Sequence, residues 1–187
     1  MKLFGLAGWQ GSGKTTLAVK LLNELIGRGL AVSTIKHAHH SFDIDQPGKD
    51  SYQHRMAGAK EVMVCSVNHW ALIHEHRGEA EAALPELLAR MAPVDLVLIE
   101  GFKRERHAKL EVHRASVGKP LLALDDPDIV AIATDLPIAG LTIPRLHIDD
   151  VAAIADFIVA HVGLSTTALA GALPDRSSAA RGKVGLG

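Results

Sequence analysis

Gly8-Trp9-Gln10-Gly11-Ser12-Gly13-Lys14-Thr15 completes the pattern G-x-x-x-x-G-K-[ST] only seven residues into the chain. Each residue type in it has a physical task. Glycines let the backbone curl so that successive N–H groups point inward at phosphate oxygens. The lysine reaches the β- and γ-phosphates, and the hydroxyl that follows is placed to ligate Mg²⁺. The flanks agree: Lys2-Leu3-Phe4-Gly5-Leu6-Ala7 is a short apolar strand leading in, and the chain from Thr15 reads as a helix whose N-terminal dipole favours anions. Gly11, Ser12, Gly13, Lys14, Thr15 and Thr16 are the expected phosphate-binding set.

Outward from this loop the sequence alternates strands and helices, the α/β pattern. Leu17, Leu21, Leu22 and Leu25 form one apolar helical stripe, closed by Gly27 and Gly29. Residues 30–36 read as a second strand, and the polar stretch 37–50 as a loop through Pro47-Gly48. A short helix is expected over 51–56. Strands over 61–67 and 70–74, turning at Asn68-His69, predict an inserted β-hairpin. Residues 78–91 read as a helix interrupted at most by Pro85. Val94 to Ile99 is a nearly continuous apolar run, the mark of a parallel strand buried on both faces. Residues 110–113 and 129–134 are further strands, and Asp149 is the expected cap of a last helix with apolar face Val151, Ile154, Ala155, Ile158 and Val162. The fold class is therefore α/β of the P-loop NTPase type, a mostly parallel sheet flanked by helices. One domain is expected over residues 1–163, with 164–187, rich in Gly, Ala, Ser and Thr, a flexible C-terminal tail.

Composition bounds the class. The chain has 187 residues, 48% hydrophobic and 22% charged, with a net charge of −1, which gives no basis for non-specific attraction to nucleic acid or membrane. No run approaches a membrane span, and no cleavable signal is expected ahead of the loop. Cys65 is the only cysteine, so no intrachain disulfide forms and a reducing cytoplasm fits. It lies in an apolar strand and is expected in the core.

In an open parallel sheet, ligands gather at the carboxyl ends of the strands. Asp95 opens its strand and faces the wrong end; Glu100 follows Ile99 and lands beside the loop, so Thr15 and Glu100 are the expected Mg²⁺ pair. Asp43, Asp45 and Asp50 compete for the same work. His37, His39 and His40 lie beside Lys36 as an anion-facing surface or plain solvated loop, without the regular partner set that zinc needs. Lys103, Arg104 and Arg106 form a second basic cluster, either neutralising phosphate or simply solvated. The guanine-reading N/T-K-x-D element is absent. Asp135, after the strand ending at Thr134, offers a substitute, since a carboxylate there accepts both the N1–H and N2–H of guanine. No side chain is identified as a catalytic base.

Five segments in this order carry a resemblance: residues 8–17, Thr34-Ile35-Lys36-His37-Ala38-His39-His40, Asp45-Gln46-Pro47-Gly48-Lys49-Asp50-Ser51, Ala57-Gly58-Ala59, and Asp95-Leu96-Val97-Leu98-Ile99-Glu100-Gly101-Phe102-Lys103. From Met1 to about Val162 the chain resembles the MobB family, the molybdopterin-guanine dinucleotide biosynthesis adaptor proteins. The resemblance implies a GTP-binding protein with weak GTPase activity, usually a homodimer. Such a protein assists the guanylyltransferase that joins a guanosine nucleotide to molybdopterin, with molybdopterin itself a further candidate ligand at the histidine loop. A P-loop small-molecule kinase is the competing reading, but such enzymes need an arginine-bearing lid. Here Arg104 and Arg106 sit in a short connection.

Overall fold

The computed structural model describes residues 1–38, 42–102, 105–138 and 140–165. Six strands form one sheet: β1 (Lys2–Ala7), β2 (Val32–Lys36), β5 (Leu96–Glu100), β6 (Lys109–His113), β7 (Ile129–Thr134) and β8 (Arg145–His147), in the order β2-β5-β1-β6-β7-β8. Every pairing in it is parallel. The separate hairpin joins β3 (Glu61–Cys65) to β4 (Trp70–His74).

Period-two alternation in β1 and β5 divides the core. Phe4, Leu6, Leu96 and Leu98 face helices α1 (Lys14–Gly27) and α4 (Val151–His161), whose Leu17, Leu21, Leu25, Ile154 and Ile158 are buried against them. Val97 and Ile99 face the other way, toward Leu84 and Leu88 of α3 (Leu84–Ala89). Buried on both faces, β5 is the hydrophobic run that parallel sheets require. The strand order reverses at β1, which puts the Gly8–Thr15 loop at the point where such sheets bind ligands.

Several boundaries differ from the sequence-based expectation. Leu30 does not start β2; its N–H bonds back to Leu25 O, sealing the end of α1 around Gly29, whose φ is +86°. The helix expected over 78–91 is confined to Leu84–Ala89. Proline is tolerated only in a first turn, where its missing N–H has no partner to lose, so Pro85 starts this helix rather than interrupting it. The cap of α4 is Asp150, whose Oδ1 accepts from Ala153 N at 3.0 Å; Asp149 instead faces Lys20 at 3.6 Å. The hairpin turn spans Ser66 to His69, with Ser66 N bonded to His69 O. β8 is three residues long and too short to show a period. Residues 166–187 of the expected tail lie outside the described residues.

Candidate functional site

Left-handed backbone builds the loop between β1 and α1. Gly8, Gly11 and Gly13 have φ of 143°, 83° and 94°, a region that L side chains rarely enter. At Gly8 space is also short: a Cβ there would lie 2.5 Å from Val112 O. Lys14 Nζ donates to Trp9 O at 2.8 Å, which folds the lysine over the loop. Trp9 is held in turn by its indole N–H on Pro120 O at 2.7 Å and by Lys119 Nζ 6.0 Å from its ring centroid. Buried Glu111 organises that neighbouring loop, its two oxygens accepting from Leu122 N and Ala123 N at 2.9 Å each. Ser12 is 2% exposed, and its Oγ has no hydrogen-bond partner among the described residues. Leaving such a group unsatisfied costs about 1–3 kcal/mol, a cost tolerated mainly where function needs the loop's shape.

Gln10, Gly11, Gly13, Lys14, Thr15, Thr16, Lys36 and Glu100 line a cleft of about 470 Å³. At its floor Thr15 Oγ1 donates to Glu100 Oε1 at 3.0 Å, and Lys36 Nζ lies 3.5 Å from the same oxygen. A hydroxyl and a carboxylate oxygen side by side fit the oxygen-ligand preference of Mg²⁺. Thr15 and Glu100 are the residues that would hold it. Asp95 is at the other end of β5, where its Oδ2 accepts from Ala31 N.

The remaining acidic candidates are engaged elsewhere. Asp43 and Asp45 both face Arg55, at 2.8 and 3.1 Å, and Arg55 also pairs with Glu75 at 2.8 Å. The Asp45 N–H and then the Arg55 guanidinium hold the Asp43 carboxyl below the usual carboxylate range. Asp50 starts the short helix α2 (Asp50–Met56). This ion network ties the loop after β2 to the hairpin. Arg106 is 2.8 Å from Asp128, near the starts of β6 and β7, so it does not serve as a lid over the cleft at Lys14. His39, His40, Lys103 and Arg104 lie outside the described residues.

Asp135 sits at the carboxyl end of β7 and lines a second cavity, of about 410 Å³, with Leu136, Pro137, Ile138 and Leu146 among its walls. Its carboxylate accepts from Ala115 N at 3.3 Å and from Arg114 Nη1 at 3.4 Å. Arg114 is a residue that sequence reasoning missed. Its Nε lies 3.5 Å from where a Cβ on Gly13 would stand, so one side chain bonded to Asp135 also comes near the glycine loop. Lys36 was also passed over as a cleft residue, although its place at the carboxyl end of β2 is the signal that finds it.

Two consecutive residues after β5 take left-handed backbone: Gly101 at φ 93° and Phe102 at φ 48°. A Cβ on Gly101 would come within 2.8 Å of His37 Cβ. For phenylalanine the conformation is uncommon, and strain of this kind concentrates at functional sites. It brings the Phe102 ring against His37, with centroids 4.8 Å apart.

Cys65 is exposed rather than buried. In the hairpin register Met63 stands opposite Leu72, and Cys65 opposite Trp70, so these four share one face. Met63, Trp70 and Leu72 are 62%, 64% and 38% exposed, an apolar face that the described residues leave uncovered. No helix among the described residues is long and apolar enough to cross a membrane.

Comparisons with known proteins converge. The family described as MobB, molybdopterin guanine dinucleotide synthesis protein B, matches residues 3–135. The chain is 44% identical to the molybdopterin-guanine dinucleotide biosynthesis adapter protein of Escherichia coli over 160 residues, covering 84% of this chain and 91% of the relative. The adapter protein of the same name from Haemophilus influenzae is 41% identical over 164 residues, covering 83% and 86%. Among solved structures, a molybdopterin-guanine biosynthesis protein B superposes with a TM-score of 0.68 at 26% identity, covering 85% of this chain and 99% of that one. Bacillus subtilis MobB superposes with a TM-score of 0.68 at 25% identity, covering 87% and 98%.

Proposed function

Because the chain belongs to the MobB family, with a role in molybdenum cofactor biosynthesis, we propose that it is a GTP-binding adapter with weak GTPase activity. In this reading it assists a guanylyltransferase in attaching a guanosine nucleotide to molybdopterin. The observation that carries the proposal is a pair of cavities, with Arg114 near Gly13 of one and bonded to Asp135 of the other. One has the glycine loop, Lys14, Thr15 and Glu100 for a triphosphate and Mg²⁺. The other is lined by Asp135 and by Leu136, Pro137, Ile138 and Leu146, an acceptor and apolar surface for a base.

The chemistry assigned to each group is local. Loop N–H groups and Lys14 bind phosphate oxygens, and Mg²⁺ when bound offsets their charge. Thr15 and Glu100 hold it. Asp135 accepts from the two N–H groups on the guanine edge, a pairing adenine cannot offer. No described side chain is placed as a general base, which suits slow hydrolysis limited by water positioning. The chain acts as a homodimer through the exposed hairpin face, and it resides in the cytoplasm, where a lone exposed thiol stays reduced.

Calorimetric titration with GTP and with ATP, each with Mg²⁺, tests the reading. GTP should bind at least about tenfold more tightly, a difference of about 1.4 kcal/mol. Equal or reversed preference refutes the assignment of Asp135 and of the base cavity.

A further inference from the structure

A third cavity, of about 430 Å³, opens on the α3 side of the sheet beside the phosphate cleft, and none of the nucleotide chemistry above uses it. Lys36, His37, Phe42, Glu81, Met91 and Phe102 are among its walls. Its size is in the range of small-molecule sites, and it combines apolar walls with a few converging polar groups, as such sites do.

We propose that this cavity binds a flat heteroaromatic ring carrying an anionic tail, with the ring against Phe102 and His37 and the tail toward Lys36. The inference rests on the proposed function above, and it places the pterin half of the family's product. Three observations carry it. The chain holds Phe102 at φ 48° directly after Gly101 at φ 93°, and the outcome of that costly backbone is an aromatic wall beside His37. Glu81 is fixed by His37, Oε1 to Nε2 at 2.7 Å, at the cavity margin. A carboxylate there accepts from the ring N–H and exocyclic NH₂ of an aminopyrimidinone edge. Lys36 lines both this cavity and the phosphate cleft, so an anion bound by its ammonium lies on the nucleotide side. Two ligands would thus meet across Lys36 and Glu100, tail to phosphate, as a dinucleotide requires.

The test uses pterin-6-carboxylate as a fluorescent probe on the full chain, with GTP binding measured on the same samples. Saturable binding below the millimolar range is expected, weakened at least about tenfold by Met91→Trp and by Ala82→Trp, Ala82 being a further wall residue. Both substitutions plug the cavity without touching the phosphate loop, so GTP affinity stays unchanged and reports that each variant is folded. Absence of saturable probe binding overturns the proposal, as does binding that survives both plugs. Displacement of the probe by guanosine also overturns it, because the nucleoside would then occupy this cavity. Retained GTP binding without probe binding removes the cavity alone; probe binding without GTP binding removes the nucleotide reading alone.

Discussion

Thr15 Oγ1 donates to Glu100 Oε1 at 3.0 Å across 85 positions of sequence. The contact exists because β1 and β5 are hydrogen-bonded neighbours whose register sets Leu6 opposite Glu100. The loop then returns Thr15 to the same edge. Glu100→Gln keeps the shape and the hydrogen bond but removes the negative charge. The expected result is nucleotide binding that persists without Mg²⁺ but loses its Mg²⁺ enhancement by roughly 10–100-fold. Titrations at fixed GTP with increasing Mg²⁺ measure this. An unchanged Mg²⁺ dependence would move the metal to another group.

Asp135→Asn tests the proposed base cavity. Asparagine loses one acceptor and presents an amide donor, which suits the xanthine C2 carbonyl instead of the guanine amine. A charge-assisted hydrogen bond of about 1.5–3 kcal/mol is at stake, so GTP affinity should fall roughly 10–100-fold while xanthosine triphosphate gains. Competition binding of the two nucleotides reads the exchange. Since Asp135 also holds Arg114 and Ala115 N, an unfolding curve on the same variant separates base reading from loop support.

What was legible in the sequence follows from how local its physical cause is. The glycine loop announces itself because its φ requirement and its lysine and hydroxyl lie within eight consecutive residues. β5 was readable because burial on both faces leaves a continuous apolar run. The position of Glu100 beside Thr15 was readable from a directional rule, that the carboxyl ends of parallel strands share one edge with the loop after the first strand. The placement of Arg114 was not, since it arises only when β6 stands between β1 and β7 and brings one side chain near Gly13 and onto Asp135. Cys65 was misread because β-strand composition looks the same on a covered face and on an exposed one. The Phe102 backbone was equally hidden: nothing in Gly-Phe-Lys signals a left-handed phenylalanine.

The face made by Met63, Cys65, Leu72 and Trp70 gives an oligomerisation test. Trp70→Lys together with Leu72→Lys removes the two larger apolar contacts opposite Met63 and Cys65 and adds like charges. Self-association measured by analytical ultracentrifugation should weaken by about 100-fold, the effect of losing a central aromatic anchor. GTP binding per chain should be retained. Undiminished association would place the interface elsewhere.

Gly101→Ala combines two costs. Alanine must hold a φ near 93°, and its Cβ would lie 2.8 Å from His37 Cβ and 3.1 Å from His37 O. Neither neighbour is the free end of a flexible chain, so the backbone of β2 or β5 must yield. Strain and overpacking together amount to roughly 2–4 kcal/mol. The thermal midpoint should drop by roughly 5–15 °C for a chain of this size. Gly11→Ala is the contrast, since its Cβ would meet nothing within 4 Å and only the φ of 83° is strained. Its midpoint should fall by less than half as much.

His107 sets a pH dependence away from the site. Neither ring nitrogen has a hydrogen-bond partner among the described residues, and the ring is packed so closely on Gly5 that a Cβ there would lie 2.5 Å from Nε2. Burial, and then the nearby Lys109 ammonium, push the imidazole pKa below its ordinary value; Asp128, Glu105 and Asp126 oppose this without cancelling it. The unfolded chain therefore takes up a proton at this histidine more readily than the folded one. Stability is fully present above the unfolded value of about 6.5 and is lost as the pH falls from there through the depressed folded value. Each kcal/mol so lost lowers the thermal midpoint by roughly 2–4 °C. Unfolding scans of the wild type and of His107→Gln between pH 8 and pH 5 (roughly spanning that window) check the sign. The wild-type midpoint should fall more steeply with acid than that of the variant, which has no proton to gain at this position. Parallel slopes would mean that the ring is protonated in place or that other groups govern the acid limb.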